Sequence, residues 1–125
     1  MGLSDFTDAL KNTDEVEITV TGRVSGRKIS NPVWFVHQGN TLYLLPVKGS
    51  DSDWYKNILK TPTMRLSAER YEWSAEATPI TDRAKVGEIV DKFNGKYGAD
   101  QVKKYYSKFD VAVEIPLVGA HRRSA

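Results

Sequence analysis

Apolar and polar side chains alternate through Val16-Glu17-Ile18-Thr19-Val20-Thr21. That period of two marks a half-buried strand, and the pattern extends it over 15–24. A second strand is predicted over 29–37. Its centre, Val33-Trp34-Phe35-Val36, is apolar on both faces, as inside a sheet or a barrel wall. Gln38-Gly39-Asn40 reads as a hairpin turn, because Gly and Asn tolerate positive φ. A third strand follows over 41–47, with Pro46 implying an edge or a bulge at its end. Two more are predicted over 64–68 and 71–80, around a turn at Glu69-Arg70, and a closing strand over 110–117. Helical spacing appears in four places. Ser4 is placed to cap a short helix carrying Phe6, Ala9 and Leu10. Trp54 and Ile58, four apart, share the buried face of a helix stopped by Thr61-Pro62. Thr81 is the expected cap of a helix carrying Ala84, Ile89, Val90 and Phe93, interrupted by Gly95 and Gly98. A last helical piece carries Val102, Tyr105 and Tyr106.

About six strands in hairpin order with three or four helices predict a mainly β protein with helices (α+β). The expected architecture is an antiparallel barrel with helices outside it or across its mouth. With 125 residues the chain fits one domain, 1–125, in which 118–125 reads as a loose tail. Charged residues make up 27% and hydrophobic ones 40%, an ordinary globular balance. A net charge of +2 gives no general case for nucleic acid, so only local cation clusters count. The absence of cysteine excludes disulfides, thiolate catalysis and thiolate metal sites. Two histidines, His37 and His121, make neither a metal cluster nor a serine–histidine triad. No leader-like segment and no bilayer-length apolar run is visible, so the expectation is a cytoplasmic protein without a membrane partner.

The densest candidate chemistry lies in Gly22-Arg23-Val24-Ser25-Gly26-Arg27-Lys28, a glycine-punctuated turn with three cations between two strands. Backbone N–H groups, the Ser25 hydroxyl and the guanidiniums of Arg23 and Arg27 suit a phosphate. A solvated basic hairpin is the plain alternative. The tyrosines Tyr97, Tyr105 and Tyr106 form a second cluster. The last two are candidates to border a substrate pocket, although most tyrosines pack with one wet end.

Several motifs in order resemble the deazaflavin-dependent nitroreductase and quinone-reductase family. They are Thr21-Gly22-Arg23-Val24-Ser25-Gly26-Arg27, Asn31-Pro32-Val33-Trp34-Phe35, Leu44-Leu45-Pro46-Val47, Gly49-Ser50, Trp54-Tyr55-Lys56-Asn57-Ile58 and Pro62. The resemblance covers about 21–68. It implies a split β-barrel of the kind shared with pyridoxamine-phosphate oxidases and other FMN-binding proteins. It further implies deazaflavin (coenzyme F-420) or FMN as cofactor, its phosphate on the basic turn and its ring over the third strand. On that basis the cofactor residues would be Arg23, Ser25, Arg27, Lys28, Asn31, Lys48, Gly49 and Asn57. For Lys48 and Gly49 the expectation concerns backbone amides approaching the polar edge of the ring. The implied activity is hydride transfer to a small quinone- or nitro-type acceptor, and the resemblance allows a homodimer. Two positions depart from the family pattern: Ile29 stands where a cation is usual, and Lys48-Gly49-Ser50-Asp51-Ser52-Asp53 is shorter and more acidic. They favour the alternative of a non-catalytic module that binds flavin, deazaflavin or haem. A nucleic-acid-binding barrel is the weakest reading, since no aromatic platform adjoins the basic turn.

Overall fold

The computed structural model describes residues 3–117. In chain order the elements are α1 (Leu3–Lys11), β1 (Glu15–Thr21), β2 (Lys28–Gln38), β3 (Thr41–Leu44), a 3-10 turn (Gly49–Asp51), α2 (Asp53–Lys60), β4 (Thr63–Ala68), β5 (Tyr71–Glu76), β6 (Thr78–Ile80), α3 (Arg83–Tyr97), α4 (Ala99–Tyr105) and β7 (Ala112–Pro116). The strands form one antiparallel sheet in the order β5-β4-β1-β2-β3-β7-β6.

The sheet is curled because β2 serves two halves of it. Lys28–Trp34 pair with β1, and Phe35–Gln38 pair with β3. The far ends approach each other, where the Trp73 indole N–H of β5 donates to the Leu117 carbonyl just beyond β7 at 3.0 Å. Inside the curl the alternating residues Val16, Ile18 and Val20 meet Phe35, Leu42, Leu44, Met64, Leu66, Val113 and Ile115. The helix α1 adds Phe6, whose ring stacks on Trp73. A second, smaller core joins the outer face of β2, β3 and β7 to α3 and α4, through Tyr43, Ile89, Phe93, Val102 and Tyr106. Leu42 and Leu44 point into the first core and Tyr43 into the second, so β3 is buried on both faces. Each fully buried Val, Leu, Ile or Phe contributes about 1.5–3 kcal/mol.

The α+β antiparallel half-barrel agrees with the sequence pattern, but there are seven strands instead of six. The expected strand over 71–80 breaks at Ala77, whose N–H leaves the ladder for the Pro62 carbonyl at 2.8 Å. This lets β5 stay on β4 while β6 crosses to β7. The first strand stops at Thr21, and the third at Leu44 before Pro46. Ser4 lies within α1, not before it. Asp82, not Thr81, caps α3, its carboxylate accepting the Lys85 N–H at 2.9 Å. Helix α3 runs through Gly95 and ends at Gly98, whose φ of 95° no helix accommodates. Val86, not Ala84, joins Ile89 and Phe93 on the buried face. The tail over 118–125, including His121, lies outside the described residues.

Candidate functional site

The basic turn between β1 and β2 is closed by its own backbone. Gly22 N–H donates to the Arg27 carbonyl at 2.7 Å, and Gly26 N–H to the Gly22 carbonyl at 2.9 Å. Gly26 has φ of 74°, a conformation that favours glycine. The Ser25 Oγ accepts the Arg27 N–H at 3.1 Å. Val24, Ser25, Arg27 and Lys28 are exposed, and the Lys28 ammonium leans back on Thr21 Oγ1 at 2.8 Å.

Arg23 does something different from the other cations. Asn57 Oδ1 accepts both the Arg23 backbone N–H at 3.0 Å and its Nη1 at 2.8 Å. Nη1 also reaches the Asp53 carbonyl at 3.3 Å, and Nη2 lies 3.5 Å from the Asp53 carboxylate. Lys60 Nζ returns to the Arg23 carbonyl at 2.9 Å. Arg23 and Asn57 therefore fasten the turn to α2. Asn57 is only 3% exposed, because α2 buries Tyr55 and Asn57 as well as the Trp54 and Ile58 face.

Downstream of the turn, β2 has a neighbour on one side only. Among the described residues no strand pairs with the other edge of Lys28–Trp34, since β3 pairs only from Phe35 onward. Lys28 to Pro32, including Asn31, are all exposed. This open edge leads into a groove of about 470 Å³, within the ~300–1,000 Å³ usual for small-molecule sites. Glu15 at the start of β1, Pro32, Val33 and Trp34 of β2, Leu45 and Val47 after β3, and Tyr105 and Tyr106 at the end of α4 line it. Five rings order the aromatic side. Trp34 stacks on Tyr97 at 4.2 Å and 7°, and meets the edge of Tyr105 at 5.4 Å. Tyr106 packs edge-on to Phe93 at 6.2 Å. The Tyr97 hydroxyl accepts the Phe35 N–H at 3.1 Å and donates to the Asp14 carbonyl at 2.7 Å. Burial pushes its ionisation up to about 12, and burial raises that of Tyr106 further. Tyr105 is half exposed and Tyr106 is buried.

The segment after β3 is tied down from the opposite side. Lys48 N–H donates to Ser52 Oγ at 2.8 Å and Gly49 N–H to the Pro46 carbonyl at 3.0 Å. Both amides expected at a ring edge are thus used within the chain. Gly49 has φ of 56° and presses on Asp110, where a Cβ would collide with Oδ1. Asp110 accepts the Ser50 N–H at 2.9 Å, and Lys108 bridges Asp51 at 3.1 Å and Asp110 at 3.7 Å. Desolvation works against the charge on Asp110, but the bonds from Ser50 and the Lys108 ammonium hold its carboxyl below the usual range. Ser107 N–H donates to the Val47 carbonyl at 2.9 Å, so this latch also sets Tyr105 and Tyr106 against the groove.

The structure thus places Ser25 and Arg27 in the turn and Lys28 and Asn31 on the open stretch of β2 that follows it, on opposite faces of the strand. Tyr105 and Tyr106 stand in the groove at its end. Arg23 and Asn57 lie behind the turn, and Lys48 and Gly49 lie on the far side. The sequence pattern did not single out Trp34 or Val33 as groove residues. The available signal was the tryptophan two residues after Pro32, on a strand too long for its partner.

The curled antiparallel sheet, open along one edge beside a basic turn, is a split-barrel fold. The chain belongs to the family described as an uncharacterized protein conserved in bacteria (DUF2255), whose pattern matches residues 7–113. No curated protein matches it in sequence. Among solved structures, it is similar to a candidate 5-nitroimidazole antibiotic resistance protein from Bacteroides thetaiotaomicron. The TM-score is 0.71 at 14% identity, over 92% of this chain and 79% of that one. It is similar to an F420-H2 dependent reductase, FDR-A, with a TM-score of 0.64 at 18% identity, over 82% and 93%. It is also similar to HutZ, the heme storage protein from Vibrio cholerae, with a TM-score of 0.70 at 11% identity, over 94% and 90%. No helix among the described residues is long and apolar enough to cross a membrane.

Proposed function

We propose that the protein is a small reductase that uses a deazaflavin or FMN to pass a hydride to a quinone- or nitro-type acceptor. The observation that carries this reading is the continuity of the open β2 edge. It runs from the exposed cations of the turn to the aromatic groove. Pro32 and Lys28 are four residues apart, about 13 Å along a strand, a span for the phosphate-bearing tail of a ring cofactor. The residues fit such a group. Arg27, Lys28 and Ser25 hold the phosphate, and Asn31 bonds to the tail. Trp34 and Val47 give the ring an apolar bed, and Tyr105 and Tyr106 border the acceptor. Arg23 and Asn57 hold the turn in shape, and the Lys48–Gly49 segment, braced by Asp110, fixes the far wall. When bound, the cofactor supplies the redox chemistry; the chain orients it and excludes water. Exposed Val24, Ile29, Val47 and Tyr105 line both ends of the edge, and a second copy seated there would wall it from water.

A non-catalytic carrier is the second reading, favoured by the internal use of the Lys48 and Gly49 amides, which leaves fewer donors for a ring. An anaerobic titration with oxidised and reduced deazaflavin and FMN, followed by absorbance and fluorescence, tests the proposal. Binding at micromolar concentration is expected, with turnover of a quinone or nitro compound. A charge-assisted bond to phosphate contributes about 1.5–3 kcal/mol, so Arg27→Ala should weaken binding about tenfold or more. No binding at micromolar concentration overturns the cofactor assignment. Tight binding without turnover favours the carrier. Equal binding with and without Arg27 removes the turn from the site.

A further inference from the structure

Trp34 is the tryptophan that lines the groove, and its indole has no hydrogen-bond partner among the described residues. Contacts between rings therefore set its plane. Tyr105 meets it edge-on at 5.4 Å and Tyr106 at a tilt at 6.0 Å. Tyr97 lies flat against it, 4.2 Å away at 7°. Tyr97 does not itself line the groove. It is the last residue of α3, and Gly98, with φ of 95°, ends the helix behind it. Whatever Tyr97 does for the groove therefore passes through Trp34.

The Tyr97 hydroxyl is held where two strands part. β1 and β2 pair as far as Glu15 with Trp34, and the next pair in that register would be Asp14 with Phe35. Residues paired in an antiparallel ladder exchange N–H and carbonyl bonds directly. Here the hydroxyl stands between them. It accepts the Phe35 N–H at 3.1 Å and donates to the Asp14 carbonyl at 2.7 Å. The Phe35 carbonyl takes the Lys96 ammonium at 2.8 Å. Two consecutive residues at the end of α3 thus continue the ladder past the last residue of β1. Tyr97 is fixed at its Cα by the helix and at its oxygen by two backbone groups. Its ring is left to turn only about its own long axis, and Phe93, 6.0 Å away at 30°, limits that turn. The backbone at the mouth of the groove therefore sets the Tyr97 plane, and through it the plane of the indole.

We propose that Tyr97 is a positioning residue for the groove: bound through its hydroxyl to Asp14 and Phe35, it holds the Trp34 indole in the plane against which the cofactor ring packs. The assignment rests on the reading of the groove as the ring site. An indole fixed before the ring arrives has less rotamer freedom to lose on binding, which raises affinity without a new contact. A phosphate on the basic turn makes no use of the indole, so the effect falls on the ring half of the ligand alone.

The test is a double-mutant cycle on the full chain, read as FMN affinity, or deazaflavin affinity where that ligand binds more tightly, with inorganic phosphate as the probe of the turn alone. Tyr97→Leu should weaken cofactor binding about five- to tenfold and leave phosphate binding unchanged. In a Trp34→Leu background the same substitution should change cofactor affinity by less than about twofold, because the two effects run through one contact. The fluorescence of the bound flavin, quenched by a stacked indole in the unsubstituted chain, should rise in Tyr97→Leu. Should Tyr97→Leu not fold, Tyr97→Phe, which keeps the ring and loses its two backbone bonds, should show a smaller loss with the same dependence on Trp34. Unchanged cofactor affinity, additive losses in the cycle, or phosphate binding that falls in step with cofactor binding overturns the assignment while the cofactor reading stands. An unsubstituted chain that binds neither FMN nor deazaflavin overturns the reading of the groove and the assignment with it.

Discussion

The two halves of β2 belong to one strand and behave as different materials. Phe35–Gln38 pair with β3 on one side, and on the other α3 covers Phe35, whose N–H and carbonyl bond to the Tyr97 hydroxyl and the Lys96 ammonium; Phe35 is 1% exposed. Lys28–Trp34 have β1 on one side and an open edge on the other, with Lys28 to Pro32 exposed. Natural sheets normally blunt such an edge, with proline, charge or cover, because it invites unwanted pairing. Here Pro32 and Lys28 blunt it, and the groove and the basic turn adjoin it. The lesson is that the candidate site falls where a strand outruns its partner, not where its residues are most unusual.

Substitutions along β2 and its supports should break that contrast in graded fashion. Phe35→Ala in the closed half should cost about 3–5 kcal/mol, read as a lowered midpoint in a denaturant melt. Asn31→Ala in the open half should change stability by about 0.5 kcal/mol or less. Equal losses at the two positions would erase the distinction between the halves. Asn57→Ala should cost less than Phe35→Ala, about 1–3 kcal/mol, because it strands the Arg23 N–H and guanidinium behind the turn. It should also weaken cofactor binding by loosening the turn; unchanged stability would show that the clamp supports nothing. Arg27→Ala should leave the melt unchanged and weaken cofactor affinity about tenfold or more. The smallest effect concerns pH. Burial lowers the His37 pKa below 6.5, so the unfolded chain binds more protons than the folded one as pH falls through about 6.5. Stability should therefore decline over that range and level off below the folded-state pKa. His37→Gln should flatten this slope, and an unaltered slope would place the titration elsewhere.

Much of this was legible in the sequence, for reasons that also explain the misses. Alternation located Val16, Ile18 and Val20 because a half-buried strand imposes a period of two. Trp54 and Ile58 were legible because a helix repeats on its face every four residues. The break at Ala77 was invisible, because it depends on the Pro62 carbonyl, fifteen residues back in the chain, and not on local preference. Asn57 lies outside the four-residue spacing of Trp54 and Ile58, yet it is buried because the turn packs over that side and Arg23 reaches it. The arginines looked alike in sequence. Only tertiary contact separates Arg23, spent on α2, from Arg27 at the exposed tip. The bracing of Gly49 by Asp110 spans sixty-one positions, and no local pattern announces it.

The most direct test of the central claim, that the open edge of β2 and its basic turn hold a phosphate-bearing ring cofactor, is an amide NMR map of the full chain titrated with FMN and with deazaflavin. The account predicts saturable shifts concentrated on residues 25–34, 47 and 105–106, with residues 35–38 and the α1 end quiet. Shifts confined to other faces of the molecule, or none at micromolar ligand, would contradict it.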